Sequence, residues 1–130
     1  NFIKLNNLNQ NVQLINFTKN PFNLIRSSDL FILTSLYEGL PNVLLEALTL
    51  KKFIISTDCP TGPKEILLNG RAGDLFKPGD YRELSKLIIR YKNNKHQERK
   101  KIKIGYKNLD RFNFDKNLKK YFMLIEKFLY

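Results

Sequence analysis

The feature that most constrains this chain is a repeated alternation between strand-length apolar runs and helix starts. Leu30-Phe-Ile-Leu-Thr34 is a continuous apolar run, which reads as a parallel strand covered on both faces. After the loop Ser35–Pro41, Val43, Leu44 and Leu45 with Ala47 and Leu48 give a helix with a buried face, capped by Asn42. Phe53–Ser56 is the next strand. Pro63 at a first helical position and Glu65 in the first turn mark a helix running to Leu68, which Asn69-Gly70 stops. Gly73–Phe76 is a further short strand. Upstream, Val12–Asn16 alternates roughly as a strand does, and Asn20-Pro21 opens a short helix, Phe22–Arg26. From Asp80 onward the pattern is helical, with Leu84, Leu87, Ile88 and Tyr91 on one face. Two basic helices, Gln97–Leu109 and Asn117–Leu129, follow.

Alternation of this kind predicts an α/β fold built on a doubly wound parallel sheet. Right-handed crossovers gather the loops after each strand at one edge, and ligands of such sheets bind in the crevice there. The candidate ligand loops are Phe17–Asn20, Ser35–Asn42, Thr57–Gly62 and Lys77–Asp80.

Composition narrows the function classes. The 130 residues suit one domain, and 42% hydrophobic with 27% charged residues excludes a disordered or collagen-like chain. No apolar run approaches the roughly 18 residues of a spanning helix. A single Cys (Cys59) allows no internal disulfide, and a single His (His96) argues against a His-based metal site. Asn1-Phe2-Ile3-Lys4 shows neither Met nor a signal pattern, so an internal cut of a larger, cytoplasmic protein is expected. The net charge of +11 is uneven: residues 1–76 carry 7 Lys/Arg against 6 Asp/Glu, residues 77–130 carry 16 against 6. The basic tail reads as a solvated face or as a surface for an anionic membrane or a phosphorylated partner. No RNA-binding signature accompanies it, so no nucleic-acid partner is expected.

The chemistry concentrates in Tyr37–Glu46. Glu38 lies in a loop and Glu46 in the helix that follows, eight positions apart. Gly39 admits close approach of a ligand, and the free N–H groups at Val43 and Leu44, with the positive helix end, suit a phosphate. Two carboxylates that accept hydrogen bonds from hydroxyls beside a phosphate-reading helix end suit a nucleotide-sugar. The bland alternative makes Glu46 a complement to the helix dipole and Glu38 a solvated loop residue. Cys59 reads as a reactive loop thiol or an incidental one. His96 reads as a solvated surface residue, and Tyr37 as a stacking or packing aromatic. Asp58 is expected to orient its loop through an Asx turn rather than bind a metal.

These residues resemble a known family. Ser35-x-Tyr-Glu-Gly-Leu-Pro-Asn-Val-Leu-Leu-Glu-Ala-Leu48 is followed by Ser56-Thr-Asp58, Gly62-Pro-x-Glu-Ile66, Gly73 and Pro78-Gly-Asp80. Asn20-Pro21-Phe22 and Ser28-Asp29-Leu30-Phe31 precede them. Over about residues 10–95 the chain resembles the carboxyl-terminal, donor-binding half of retaining GT-B glycosyltransferases of family 4. The resemblance implies a partial nucleotide-sugar-binding domain over residues 1–95, Rossmann-like and lacking its first strands, with basic helices 96–130 packing on it.

It implies transfer of a sugar from a nucleotide-diphosphate donor, UDP or GDP type, to a glycan or glycolipid acceptor in surface polysaccharide synthesis. Glu38 would serve catalysis beside the donor sugar, bonding its hydroxyls and stabilising positive charge at the anomeric carbon. Backbone N–H groups of Gly39, Leu40 and Asn42 would hold sugar hydroxyls, those of Val43 and Leu44 would face the diphosphate, and Glu46 would grip the ribose. Phe17 and Thr18 would lie near the base. No metal is expected. The family's Gly-rich turn, its basic pair at the diphosphate and its acceptor domain find no counterpart in these residues, so the chain alone is not expected to turn over. Thr57-Asp-Cys-Pro-Thr-Gly62 departs from the commoner Gly-Gly loop toward a branch using galactose-type donors. The readings set beside this one are another GT-B enzyme, such as a sugar epimerase or phosphorylase, and a non-catalytic basic module for nucleotides, nucleic acid or lipid.

Overall fold

Residues 2–129 are described by a computed structural model. Its frame is a three-stranded parallel sheet of β1 (Leu30–Leu33), β2 (Phe53–Thr57) and β3 (Asp74–Phe76), in that spatial order. Leu30 to Leu33 pair with Phe53 to Ser56, and Ile55 to Thr57 pair with Asp74 to Phe76. Around the sheet run α1 (Phe2–Leu5), α2 (Phe22–Ser27), α3 (Asn42–Thr49), α4 (Pro63–Ile66), α5 (Tyr81–Lys107), a 3-10 turn (Leu109–Phe112) and α6 (Phe114–Leu129).

Every residue of β2 is buried, which explains why it carries no alternation of polar and apolar positions. Its side chains divide between two cores. Ile54 packs with Leu44, Ala47 and Leu48 of α3 and with Ile66 and Leu67 of the α4 turn. Phe53 and Ile55 meet Leu84, Leu87, Tyr91 and Ile102 of α5 on the other face. Helices therefore cover both faces of a parallel sheet, the layering that a doubly wound α/β fold requires. Because all three strands run the same way, the loops after them open at one edge.

Several elements differ from what the sequence pattern predicts. Val12–Asn16 forms no strand and is exposed throughout. Its apolar residues change phase, Val12 and Leu14 being followed by Ile15 and Phe17, so no one face is available to bury. The first two of the three C-terminal helices are a single helix, α5, kinked at Asn94 (φ −128°, ψ 31°). No Gly or Pro interrupts residues 81–104, so hydrogen bonding resumes past the kink. Asn42 is the first residue inside α3 and does not cap it; Pro41 holds the cap position without a side-chain bond. Helix α4 closes at Ile66 rather than Leu68, because Leu68 and Asn69 turn into left-handed backbone (φ 54° and 55°). Helix α6 begins at Phe114, where Asn113 Oδ1 accepts from the Lys116 N–H at 3.0 Å, a cap the pattern did not disclose.

The second half of α5 comes very close to α3. A Cβ on Gly105 would stand 2.5 Å from Leu48 Cδ2 and 3.3 Å from Ala72 Cβ. Helix α6, by contrast, has no buried residue, and the docking on the fold expected of its Tyr121, Phe122, Leu124, Ile125, Phe128 and Leu129 is not seen. No described helix is long and apolar enough to cross a membrane.

Candidate functional site

Each candidate residue is placed by an element whose local reasons are visible. Loop 34–41 leaves β1 at the shared edge and enters α3 at Pro41, whose ring fixes φ near −71° and sets the chain for a helix start. Helix α3 is anchored by Leu44, Ala47 and Leu48, all at most 1% exposed. That burial turns the opposite side of its first turns outward. Glu38, Val43 and Glu46 are half-buried, whereas Gly39, Leu40 and Asn42 are exposed. Among the described residues neither the Glu38 nor the Glu46 carboxylate has a hydrogen bond or ion pair. Both are free to accept from a ligand.

The N–H groups of this unit divide into two sets. Those of Gly39, Leu40, Asn42 and Val43 have no backbone acceptor among the described residues. The Leu44 N–H donates to the Pro41 carbonyl at 3.0 Å, inside the first turn. Of the two groups assigned to a diphosphate, Val43 therefore has the unspent donor.

The loop after β2 closes on this unit. The Thr57 hydroxyl, on a residue 1% exposed, donates to the Ser35 carbonyl at 2.7 Å. The Thr61 hydroxyl donates to the Glu38 carbonyl. Gly62 has φ +85°, and a Cβ there would overlap the Gly39 carbonyl and stand 2.5 Å from Pro41 Cδ. Sequence reasoning placed this loop at the edge but missed those contacts. The signal available was a pair of Thr residues flanking Asp-Cys-Pro, followed by Gly.

The remaining candidates fall elsewhere. The Asp58 N–H donates to the Phe76 carbonyl at 2.7 Å, and its carboxylate pairs with Lys64 at 3.4 Å instead of forming the expected Asx turn. Cys59 is 2% exposed, and its thiol points at the Thr61 carbonyl 3.9 Å away, which favours the incidental reading. Phe17 is 92% exposed, and Thr18 Oγ1 accepts from the Asn20 N–H at 3.4 Å. No hydrogen bond among the described residues joins Phe17 or Thr18 to loop 34–41. His96 is exposed on α5, and Tyr37 is 81% exposed.

Electrostatic perturbation lies away from this edge. Asp29, just before β1, has its carboxyl held below the ordinary value by a hydrogen bond from Lys95 and by that ammonium's charge. The same contact raises Lys95. Burial raises Tyr91, whose hydroxyl donates to the Asp29 carbonyl at 2.7 Å and whose ring stacks on Phe53. A second polar group, invisible to local patterns, is the quartet of Asp74, Arg90, Lys101 and Glu98. Asp74 is 5% exposed and accepts from both Arg90 and Lys101, while Glu98 sits 3.4 Å from Arg90 Nε. It ties β3 to both halves of α5 across the kink.

The family model described as "Glycosyl transferases group 1" matches residues 1–108. The chain belongs to that family. Over 61 residues this group 1 glycosyltransferase chain is 54% identical to an uncharacterized glycosyltransferase of Methanocaldococcus jannaschii, covering 47% of the chain and 15% of that protein. It is 42% identical over 60 residues to lipopolysaccharide 1,6-galactosyltransferase of Escherichia coli, covering 46% of the chain and 17% of that enzyme. The chain thus spans about a sixth of the length of these curated relatives. The fold matches the Anabaena protein HepE in complex with UDP at a TM-score of 0.87, with 20% identity, over 96% of the chain and 35% of HepE. It also matches S. aureus TarM in complex with UDP and α-GlcNAc-glycerol at 0.84, with 24% identity, over 94% of the chain and 25% of TarM. The architecture is therefore that of the carboxyl-terminal half of a GT-B glycosyltransferase.

Proposed function

We propose that this chain is the donor-binding part of an enzyme that moves a sugar from a nucleotide-diphosphate sugar to a glycan or lipid-linked acceptor in cell-surface polysaccharide synthesis, with retained anomeric configuration. The observation that carries this reading is the unit Glu38–Glu46: two unpaired carboxylates flank a run of N–H donors without acceptors at a helix start. Glu46 grips the ribose hydroxyls. The Val43 N–H, with the Leu44 N–H sharing its donor, faces the diphosphate, where the positive helix end meets the charge that grows as the glycosidic bond breaks. Gly39, Leu40 and Asn42 N–H groups hold sugar hydroxyls. The Glu38 carboxylate stabilises the oxocarbenium-like transition state. Phe17 and Thr18 lie near the base. UDP in the HepE and TarM complexes supports a uridine or similar nucleotide, and the galactosyltransferase relative supports a hexose. An anionic membrane surface belongs to the same proposal, supported by the lysines of the exposed, amphipathic α6.

Titration calorimetry of this chain with UDP and GDP tests the reading. Weak binding of one of them is expected. Glu46→Gln should weaken it by about 1–2 kcal/mol, because an amide accepts hydroxyl bonds less strongly than a carboxylate. A substitution that is neutral in a chain that binds removes the ribose role.

A further inference from the structure

Resting on the donor-site reading above, we infer that the Thr57–Gly62 loop is a brace that positions the sugar-facing half of the site, with Thr57, Thr61 and Gly62 as positioning residues. Its contacts share a target. Thr57 bonds the Ser35 carbonyl, Thr61 bonds the Glu38 carbonyl, and Gly62 packs its bare α-carbon on the Gly39 carbonyl and the Pro41 ring. All of them fall on main chain or on Pro41, so they fix the path of the loop and leave the Glu38 carboxylate free.

The Thr61 bond acts through the peptide plane. The Glu38 carbonyl and the Gly39 N–H are opposite edges of one planar unit. Holding the carbonyl toward Thr61 therefore aims the Gly39 N–H away from the brace, on the side where no protein acceptor meets it. Gly62 completes the arrangement, because its φ of +85° and the space beneath it are open to Gly alone.

The brace divides the site into halves held by different means. Helix α3 is anchored by Leu44, Ala47 and Leu48, whose packed cluster contains no residue of the Thr57–Gly62 loop. Val43 and Glu46, the nucleotide end, depend on that anchor. Glu38 and Gly39, the sugar end, lie in a stretch with no buried side chain between Ser35 and Leu40 and depend on the brace. A defect in the brace should therefore be felt by the sugar and hardly by the nucleotide.

Thr61→Val keeps the shape and removes the donor, and Thr61→Ser returns it. Calorimetry would compare UDP with UDP-galactose, and amide hydrogen exchange would follow residues 35–42. In Thr61→Val, UDP-galactose binding should weaken about threefold to tenfold and UDP binding by less than about twofold, the loop should exchange faster, and Thr61→Ser should restore all of these. Equal losses for both ligands, or failure of Thr61→Ser to rescue, would overturn the proposal. Unchanged exchange and affinity in Thr61→Val, with normal binding by the parent chain, would overturn the brace alone. A parent chain that binds neither ligand sinks the donor reading, and the positioning role goes with it even where exchange in the loop rises.

Discussion

Helices α3 and α6 are both strongly patterned, and they end in opposite situations. In α3, Leu44, Ala47 and Leu48 are sealed against β2 and the α4 turn, with Gly105 of α5 over Leu48. In α6, Phe114, Leu118, Tyr121, Phe122, Ile125, Phe128 and Leu129 recur at helical spacing along one side, yet Phe122 is 56% and Phe128 88% exposed. Helical periodicity thus specifies that a helix has a face and says nothing about what the face meets. For α3 the partner is β2, reached by a crossover that chirality leaves little choice about. For α6 the chain supplies none among the described residues.

The largest expected effect sharpens that contrast directly. Leu48→Ala should cost about 3 kcal/mol in urea unfolding, since it opens a cavity between α3 and Gly105 that the packed surroundings cannot fill. Phe122→Ala removes a bigger side chain and should change stability by less than about 0.5 kcal/mol. Comparable losses from the two would mean that α6 is docked in solution, and the contrast would collapse.

A smaller effect should come from the ionic quartet. Asp74→Ala leaves Arg90 with Glu98 as its one carboxylate and Lys101 with the Gly73 carbonyl alone, at about 2 kcal/mol. Because Asp74 and Lys101 are in direct contact, the double variant Asp74→Ala, Lys101→Ala should fall short of the sum of its parts. Additive losses would show that the quartet does not act as a unit.

The smallest effect belongs to the Asp29–Lys95 pair, whose side chains are 78% and 52% exposed. The Asp29 carboxyl is lowered from 3.8, so its contribution is present above that pH and is lost as pH falls through the lower folded value. Lys95 is raised from 10.5, so its share persists below that pH and fades as pH rises through the higher folded value. Asp29→Asn should slightly flatten the acid limb of a melting-temperature profile, and salt should erase the difference. A large acid-limb change would place this pair among the structural interactions of the core.

How much was legible in the sequence follows the range of the interactions involved. Strand β2 was readable because burial on both faces leaves an unbroken apolar run, and α3 because its anchor repeats at helical spacing; β1 carries a similar run, but as an edge strand it is only half-buried, with Ile32 36% exposed, and the cover expected on both its faces is not there. Val12–Asn16 was misread because a strand exists only through a partner, and alternation over a few residues does not guarantee one. The Asn94 kink rests on the backbone angles of one residue among strong helix-permitting neighbours. The quartet joins residues 16 and 27 positions apart, a separation that no local pattern records. At the site, the family resemblance pointed to Glu38 and Glu46 as a pair, while the Thr61–Glu38 contact spans 23 residues and needed the fold to be seen.

The close approach at Gly105 also governs what changes in chain length the molecule can absorb. Each residue advances a helix by about 100°, so one residue added between Asn94 and Gln97 would turn everything beyond it by that angle. Ile104 would then arrive where Gly105 lies against Leu48, and Gln97 would arrive in place of Glu98 beside Arg90. A single insertion would overfill one contact and discharge another. The exposed stretch around residues 9–17 has no such phase to keep, so lengthening should be tolerated there and not in the middle of α5.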